Sequence, residues 1–151
     1  MQIRVDDPSR EPVAGLMREH LAEMATVSPA ESIHALAVEA LCDPAVTFWS
    51  AVEGDALLGC AALLELDAAH GEVKSMRTAQ AHLRRGVASR LLGHVIAEAR
   101  GRGYARLSLE TGAQDHFLPA RALYSRHGFT ACGPFGSYRE DANSVFMTLV
   151  L

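Results

Sequence analysis

The spacing of apolar and polar positions changes several times along the chain, and each change marks an element. Gln2 to Asp6 reads as a short first strand, ended by the turn-forming run Asp6-Asp7-Pro8-Ser9. From about Glu11, residues Val13, Leu16, Met17, Leu21 and Met24 recur at helical spacing and make one apolar stripe. Ser28-Pro29-Ala30-Glu31 then predicts a second helix start: Ser28 can cap, Pro29 suits the first helical position, and Glu31 follows the cap at capping-box spacing. Ile33, Leu36, Ala37, Ala40 and Leu41 supply its buried stripe until Asp43-Pro44 stops it.

The period then shortens to that of strands. Val46 to Glu53 is rich in β-branched and aromatic residues, and Gly54-Asp55 offers a tight turn. Ala56 to Leu66 is nearly all apolar, as a central strand covered on both faces should be. A second turn leads into a strand over Glu72 to Thr78, which completes an antiparallel meander. Helix, strand and helix follow over Val87–Arg100, Ala105–Glu110 and Pro119–His127, with Gly128 placed as a C-cap. Phe129–Cys132 and Ser144–Leu151 can close the sheet as a hairpin around a longer loop. The order is βααβββαβαββ, which predicts an α+β fold with a mixed, mostly antiparallel central sheet flanked by helices, in a single domain over residues 1–151.

Composition narrows the function. Of 151 residues, 49% are apolar and 21% charged, which fits a globular chain rather than a disordered one. A net charge of -4 gives no reason to expect nucleic acid or an anionic membrane as partner. The positive charge is unevenly placed, however: Lys74 is the sole lysine, and the arginines cluster between Arg77 and Arg106, where Glu98 is the only acid. A local basic segment in an acidic chain suits a small polyanionic ligand. Cys42, Cys60 and Cys132 are odd in number and sit among apolar neighbours, so buried thiols in a reducing compartment are expected rather than a disulfide framework. The seven histidines show no metal-ligand spacing, and no metal is expected. No signal-peptide pattern or membrane-length apolar run occurs, and a cytoplasmic location is expected.

The most informative stretch runs from Gly71 to Arg100. A strand containing Glu72 leads through Arg84, Arg85 and Gly86 into an amphipathic helix. The first N–H groups of a helix have no partner within it, and the helix dipole favours negative charge there, so this junction is a ready anion site. Arg84 and Arg85 can add charge-assisted hydrogen bonds, Gly86 lets backbone approach a ligand, and Ala88 and Ser89 keep the approach narrow. No G-K-[ST] follows Gly86, which argues against nucleotide hydrolysis.

The sequence L-R-R-G-V-A, Leu83 to Ala88, resembles the acyl-coenzyme-A signature Q/R-x-x-G-x-G/A of the GNAT N-acetyltransferases. Leu83 departs from the common Gln or Arg, whereas Ala88 is a permitted variant. P-A-R-A-L-Y-S-R-H-G-F, Pro119 to Phe129, is similar to the family's A-x-x-L-Y-x-x-x-G-F helix, and the element order matches along nearly the whole chain. S-M-R-T, L-E-T-G and P-F-G-S-Y resemble a bacterial subgroup of acetyltransferases described only in general terms.

The resemblance implies direct transfer of an acetyl group from acetyl-coenzyme A, as co-substrate, to a primary amine on a small molecule or a protein. A homodimer would be ordinary for the family. Main-chain groups near Met76, Arg77 and Thr78 would hold the pantetheine arm, and the amides of Arg84, Arg85, Gly86, Val87, Ala88 and Ser89 the pyrophosphate. The strands at Glu72–Thr78 and Ala105–Glu110 would splay where the thioester sits. Tyr124 matches the tyrosine that protonates the departing thiolate. Glu72, fourteen residues before Gly86, has the spacing of the catalytic glutamate in the histone-type branch. In ideal alternation it would share a strand face with Met76. Glu65 and Glu110, each ending a strand, are the rival bases. A main-chain N–H near Met76 or Arg77 would meet the oxyanion. His34, His116, Arg77 and Tyr138 are candidate acceptor contacts. The same fold could instead serve a non-catalytic acyl-coenzyme-A sensor, since fold alone does not decide function.

Overall fold

A computed structural model describes residues 1–151. Strands β1 (Gln2–Val5), β2 (Val46–Glu53), β3 (Ala56–Asp67), β4 (His70–Thr78), β5 (Arg106–Gly112), β6 (Thr130–Cys132) and β7 (Ser144–Val150) form one sheet in the order β1-β2-β3-β4-β5-β7-β6. Every neighbouring pair is antiparallel except β4 and β5. The helices are α1 (Val13–Val27), α2 (Val38–Leu41), α3 (Val87–Gly101) and α4 (Leu118–Arg126). None is long and apolar enough to cross a membrane.

The sheet is covered on both faces, as the continuous apolar run of β3 requires. Ala61 and Leu63 join the larger core beneath α3 and α4, whereas Cys60 and Ala62 join a smaller core with Val13, Leu16 and Met17 of α1 and Leu41 of α2. α3 buries Val87, Leu91, Leu92, Val95, Ile96 and Ala99 on the larger core. Full burial of a large aliphatic side chain contributes roughly 1.5–3 kcal/mol, so this face pins the helix and fixes its N-terminus. Cys60 is buried, its thiol pushed up to about 12 by that burial, but Cys42 is exposed and Cys132 half-buried. The expectation of three buried thiols therefore holds for one.

The predicted second helix is mostly absent. Ala30–Ser32 is a single 3-10 turn, Ser28 makes no side-chain cap, and the helix forms only at Val38–Leu41. Polar partners elsewhere in the fold take the intervening groups. Ser32 Oγ donates to Asp141 at 2.6 Å, and the His34 carbonyl accepts from Lys74 Nζ at 2.9 Å. In a helix that carbonyl would have served the Val38 amide.

Two irregularities shape the middle of the sheet. The parallel ladder between β4 and β5 has only three pairs, His70↔Arg106, Gly71↔Leu107 and Glu72↔Ser108, after which the strands part. On its other side, β4 carries a bulge. Cys60 faces Arg77 and Ala62 faces Lys74, so Ala61 opposes both Ser75 and Met76. Ser75 adopts the left-handed conformation, φ 52°. The bulge breaks alternation: Val73 and Met76 pack toward the α3 core, whereas Glu72, Lys74 and Arg77 project toward α1. Glu72 and Met76 do not share a face, contrary to the simple strand pattern.

Gly59 makes the bulge possible, because a Cβ there would lie 2.6 Å from the Arg77 carbonyl and 3.2 Å from Val87 Cγ1. Gly59→Ala should destabilise the fold by about 1–3 kcal/mol, the usual range for overpacking, as measured by urea unfolding. An unchanged midpoint would show that β4 yields freely at this point.

Candidate active site

Where β4 and β5 separate, a cavity of about 590 Å³ opens through the sheet. One end lies at the N-terminus of α3. Gly86 is left-handed there (φ 78°), as is Arg84 (φ 62°), and the two bend the chain sharply into the helix. The first carbonyl engaged is that of Gly86, which accepts from the Arg90 amide at 3.1 Å. The amides of Val87, Ala88 and Ser89 have no main-chain acceptor. A Cβ added at Gly86 would meet nothing within 4 Å, so the space before these donors is open. The donors and the open space in front of them fit a pyrophosphate group.

Of the residues expected at this end, Arg84, Gly86, Val87, Ala88 and Ser89 line the cavity, as do Met76, Arg77 and Thr78 of β4. Arg85 does not. Its guanidinium lies against His82 Nδ1 at 2.8 Å and points toward Glu53 at 3.5 Å, away from the cavity.

The gap between the strands joins the two faces of the sheet. Tyr124 reaches it from α4, buried in the larger core beside Phe129. Burial and the nearby Glu110 carboxylate push its phenol up to about 12, so it stays protonated at neutral pH. Glu110 comes from β5 on the opposite face, since Leu107 and Leu109 occupy the α3 side. It is half-buried and forms no ion pair, and burial raises its carboxyl above the ordinary 4.5.

Beyond the gap, toward α1, the cavity is lined by charges that are already paired. Arg77 binds Glu23 of α1, and His116 Nε2 comes within 3.9 Å of the same carboxylate. Beside them, burial first and the Arg77 charge second push the His20 imidazole down to about 4, so it is neutral at pH 7. Glu72 is 3% exposed and accepts from the Tyr138 hydroxyl at 2.5 Å, with Lys74 Nζ at 3.4 Å. Lys74 also donates to the Tyr138 hydroxyl at 2.9 Å.

The fold thus brings Glu72, Glu110, Tyr124, His34, His116 and Arg77 to one cavity. It leaves Glu65 outside. That carboxylate is exposed at the far end of β3 and accepts the Tyr104 hydroxyl at 2.6 Å. The strand phase that sends Leu63 into the α3 core sends Glu65 to that side as well, past the end of the core. Tyr138 lies behind Glu72 and Lys74 and does not line the cavity. Sequence reasoning passed over Lys74. Its signal was present: a sole lysine in an arginine-rich chain, two residues after Glu72 on the same strand.

The Acetyltransferase (GNAT) family model matches residues 14–129. The N-acetyltransferase YsnE of Bacillus subtilis, itself uncharacterized, is 58% identical over 98% of each chain. The IAA acetyltransferase of Azospirillum brasilense is 34% identical, over 94% of this chain and 92% of its own. Among solved structures, a Klebsiella pneumoniae protein provisionally assigned as an acyl-CoA N-acyltransferase superposes with a TM-score of 0.80 at 26% identity, covering 99% of this chain and 97% of that one. A GNAT acetyltransferase from Elizabethkingia anophelis with acetyl-CoA bound shares the fold, with a TM-score of 0.69 at 18% identity over 99% and 97% of the two chains. Parted strands, the open α3 terminus and these relationships together establish that the chain belongs to the GNAT acetyltransferase family.

Proposed function

We propose that the protein moves an acetyl group from acetyl-coenzyme A to a primary amine, with Glu110 as general base and Tyr124 as general acid. One observation carries the reading: Glu110 and Tyr124 open onto the same cavity where β4 and β5 part, with unpartnered α3 amides at its other end.

Acetyl-coenzyme A would supply the acetyl group as an activated thioester. The amides of Val87, Ala88 and Ser89, with Arg84 beside them, hold the pyrophosphate, and β4 backbone from Met76 to Thr78 borders the pantetheine arm. Near neutral pH the acceptor is an ammonium ion and cannot attack. Glu110 removes its proton, the nitrogen attacks the thioester carbonyl, and a C–N bond forms as the C–S bond breaks. A main-chain N–H at the β4 bulge, where the ladder leaves a residue unpaired, faces the developing oxyanion. The Tyr124 O–H donates to the departing sulfur, and the second proton lost by the nitrogen as the amide forms restores the phenol.

Glu110 suits the base better than Glu72 because of its partners. Glu72 is held by Tyr138 and Lys74, and Glu23 by Arg77, which leaves Glu110 as the cavity carboxylate without a cation. An acceptor ammonium supplies the missing charge. Because burial raises the Glu110 carboxyl above 4.5, its basic form is lost as pH falls through that raised value. The acid limb of the rate profile therefore lies above the ordinary glutamate range.

Glu110→Gln should lower kcat about 10²–10⁴-fold, the usual worth of a general base, and remove the acid limb from the pH–rate profile. Thiol release across an amine panel checks both, and an intact limb would overturn the assignment. Tyr124→Phe should lower kcat by at least about tenfold, because the sulfur then leaves as an unprotonated thiolate. Undiminished turnover would remove Tyr124 as acid. Gly86→Glu should abolish coenzyme binding by calorimetry. The protein should stay folded, at a cost of about 1–2 kcal/mol for a left-handed non-glycine residue. Unchanged affinity would place the pyrophosphate elsewhere.

A further inference from the structure

We infer that Lys74 is a positioning residue for the reaction: by binding Glu72 it withdraws that carboxylate from proton transfer and leaves Glu110 to take the proton of the acceptor. The inference rests on the acetyltransferase reading above and adds a division of labour between two acids of the cavity.

Lys74 enters a nearly closed space with its side chain 9% exposed. It donates to the Tyr138 hydroxyl at 2.9 Å and to the His34 carbonyl at 2.9 Å, and its ammonium forms an ion pair with Glu72 Oε2 at 3.4 Å. The Tyr138 hydroxyl accepts from Lys74 and spends its own proton on Glu72, so the three groups form one connected set. The Tyr138 ring cannot swing away, since it packs edge-on to His34 at 4.9 Å and Phe135 at 5.1 Å and lies tilted against Phe146 at 5.4 Å. A base must be free to accept, and Glu72 already holds the Tyr138 hydroxyl proton and the Lys74 charge at one oxygen. Glu110 receives no cation.

The same pairing controls what charge Glu110 feels. The groups facing it are Glu72 and Lys74 from β4, His34 from the segment before α2, Tyr124 from α4, Tyr138 from the late loop and Ser144 from β7. Within this set the Lys74 charge lowers the Glu110 carboxyl and the Glu72 charge raises it. Removing either alone leaves Glu110 facing the other's unbalanced charge, and a like charge raises a carboxyl whereas an opposite one lowers it.

The test compares pH–rate profiles of the parent, Lys74→Met, Glu72→Gln, the double variant and Glu110→Gln, with thermal melts confirming that each is folded. Lys74→Met should move the acid limb up and Glu72→Gln should move it down, while the double variant falls between the two. A purely structural clamp would lower kcat without moving the limb in opposite directions. If Lys74→Met does not fold, Glu72→Gln and the double variant carry the comparison, because neither strands a buried carboxylate. A limb that stays put in Glu72→Gln and in the double variant, yet vanishes in Glu110→Gln, overturns the role of Lys74 and leaves Glu110 as base. A limb that vanishes in Glu72→Gln and survives in Glu110→Gln makes Glu72 the base and overturns both proposals.

Discussion

The ladder between β4 and β5 stops after Glu72↔Ser108, while each strand stays paired along its length with its other neighbour, β3 or β7, apart from the bulge in β4. The two halves of the sheet diverge from that point like an opened book. Both are pinned from behind: α3 packs its apolar face on β3 and β4, and the larger core continues across β5 and β7 through Leu107, Leu109 and Met147. Backbone groups facing a gap have lost their sheet partners and need others. An extended chain with amide groups of its own answers that need, which explains why the parted strands and the open α3 terminus lie along one cavity.

The bulge at Ser75–Met76 sorts the side chains of β4. Upstream of it, Glu72 and Lys74 face the α1 side. Downstream, the extra residue returns Arg77 to that side and turns Met76 into the core. Without the bulge, Arg77 would point into the apolar layer under α3, and an unpaired guanidinium there would cost several kcal/mol. The irregularity thus keeps three charged residues of one strand on the one face where α1 and the late loop provide partners.

Those partners make the site electrically economical. Buried charges are tolerated when each finds an opposite charge and filled hydrogen-bond positions. Lys74 with Glu72, and Arg77 with Glu23, each find the opposite charge, although Arg77 Nε is left without a hydrogen-bond acceptor. The choice of lysine at position 74 in an arginine-rich chain has a geometric reason: a compact ammonium serves three acceptors arranged around a point, which a planar fork would not. Glu110 is the exception that remains, and exceptions of this kind mark chemistry more often than structure.

The chain's own pattern determined the strands almost to the residue, the α3 face and the glycine-opened helix terminus, because these depend on local period and on the special conformation of Gly86. It also brought out Tyr124, which stands in a recognisable helix motif. The segment from Ile33 to Ala37 misled, since its apolar spacing is helical while its His34 carbonyl is spent on Lys74 and the preceding Ser32 hydroxyl on Asp141, both far away in sequence. The ranking of Glu72, Glu65 and Glu110 was likewise undecidable from the sequence, where all three are acids near strand ends. Only the tertiary structure showed that Glu65 leaves the cavity, that Glu72 is bound by a lysine and a tyrosine, and that Glu110 stands unpaired. Period and backbone preference are local properties written in adjacent residues, whereas the charge state and freedom of a buried acid depend on what packs against it from other elements.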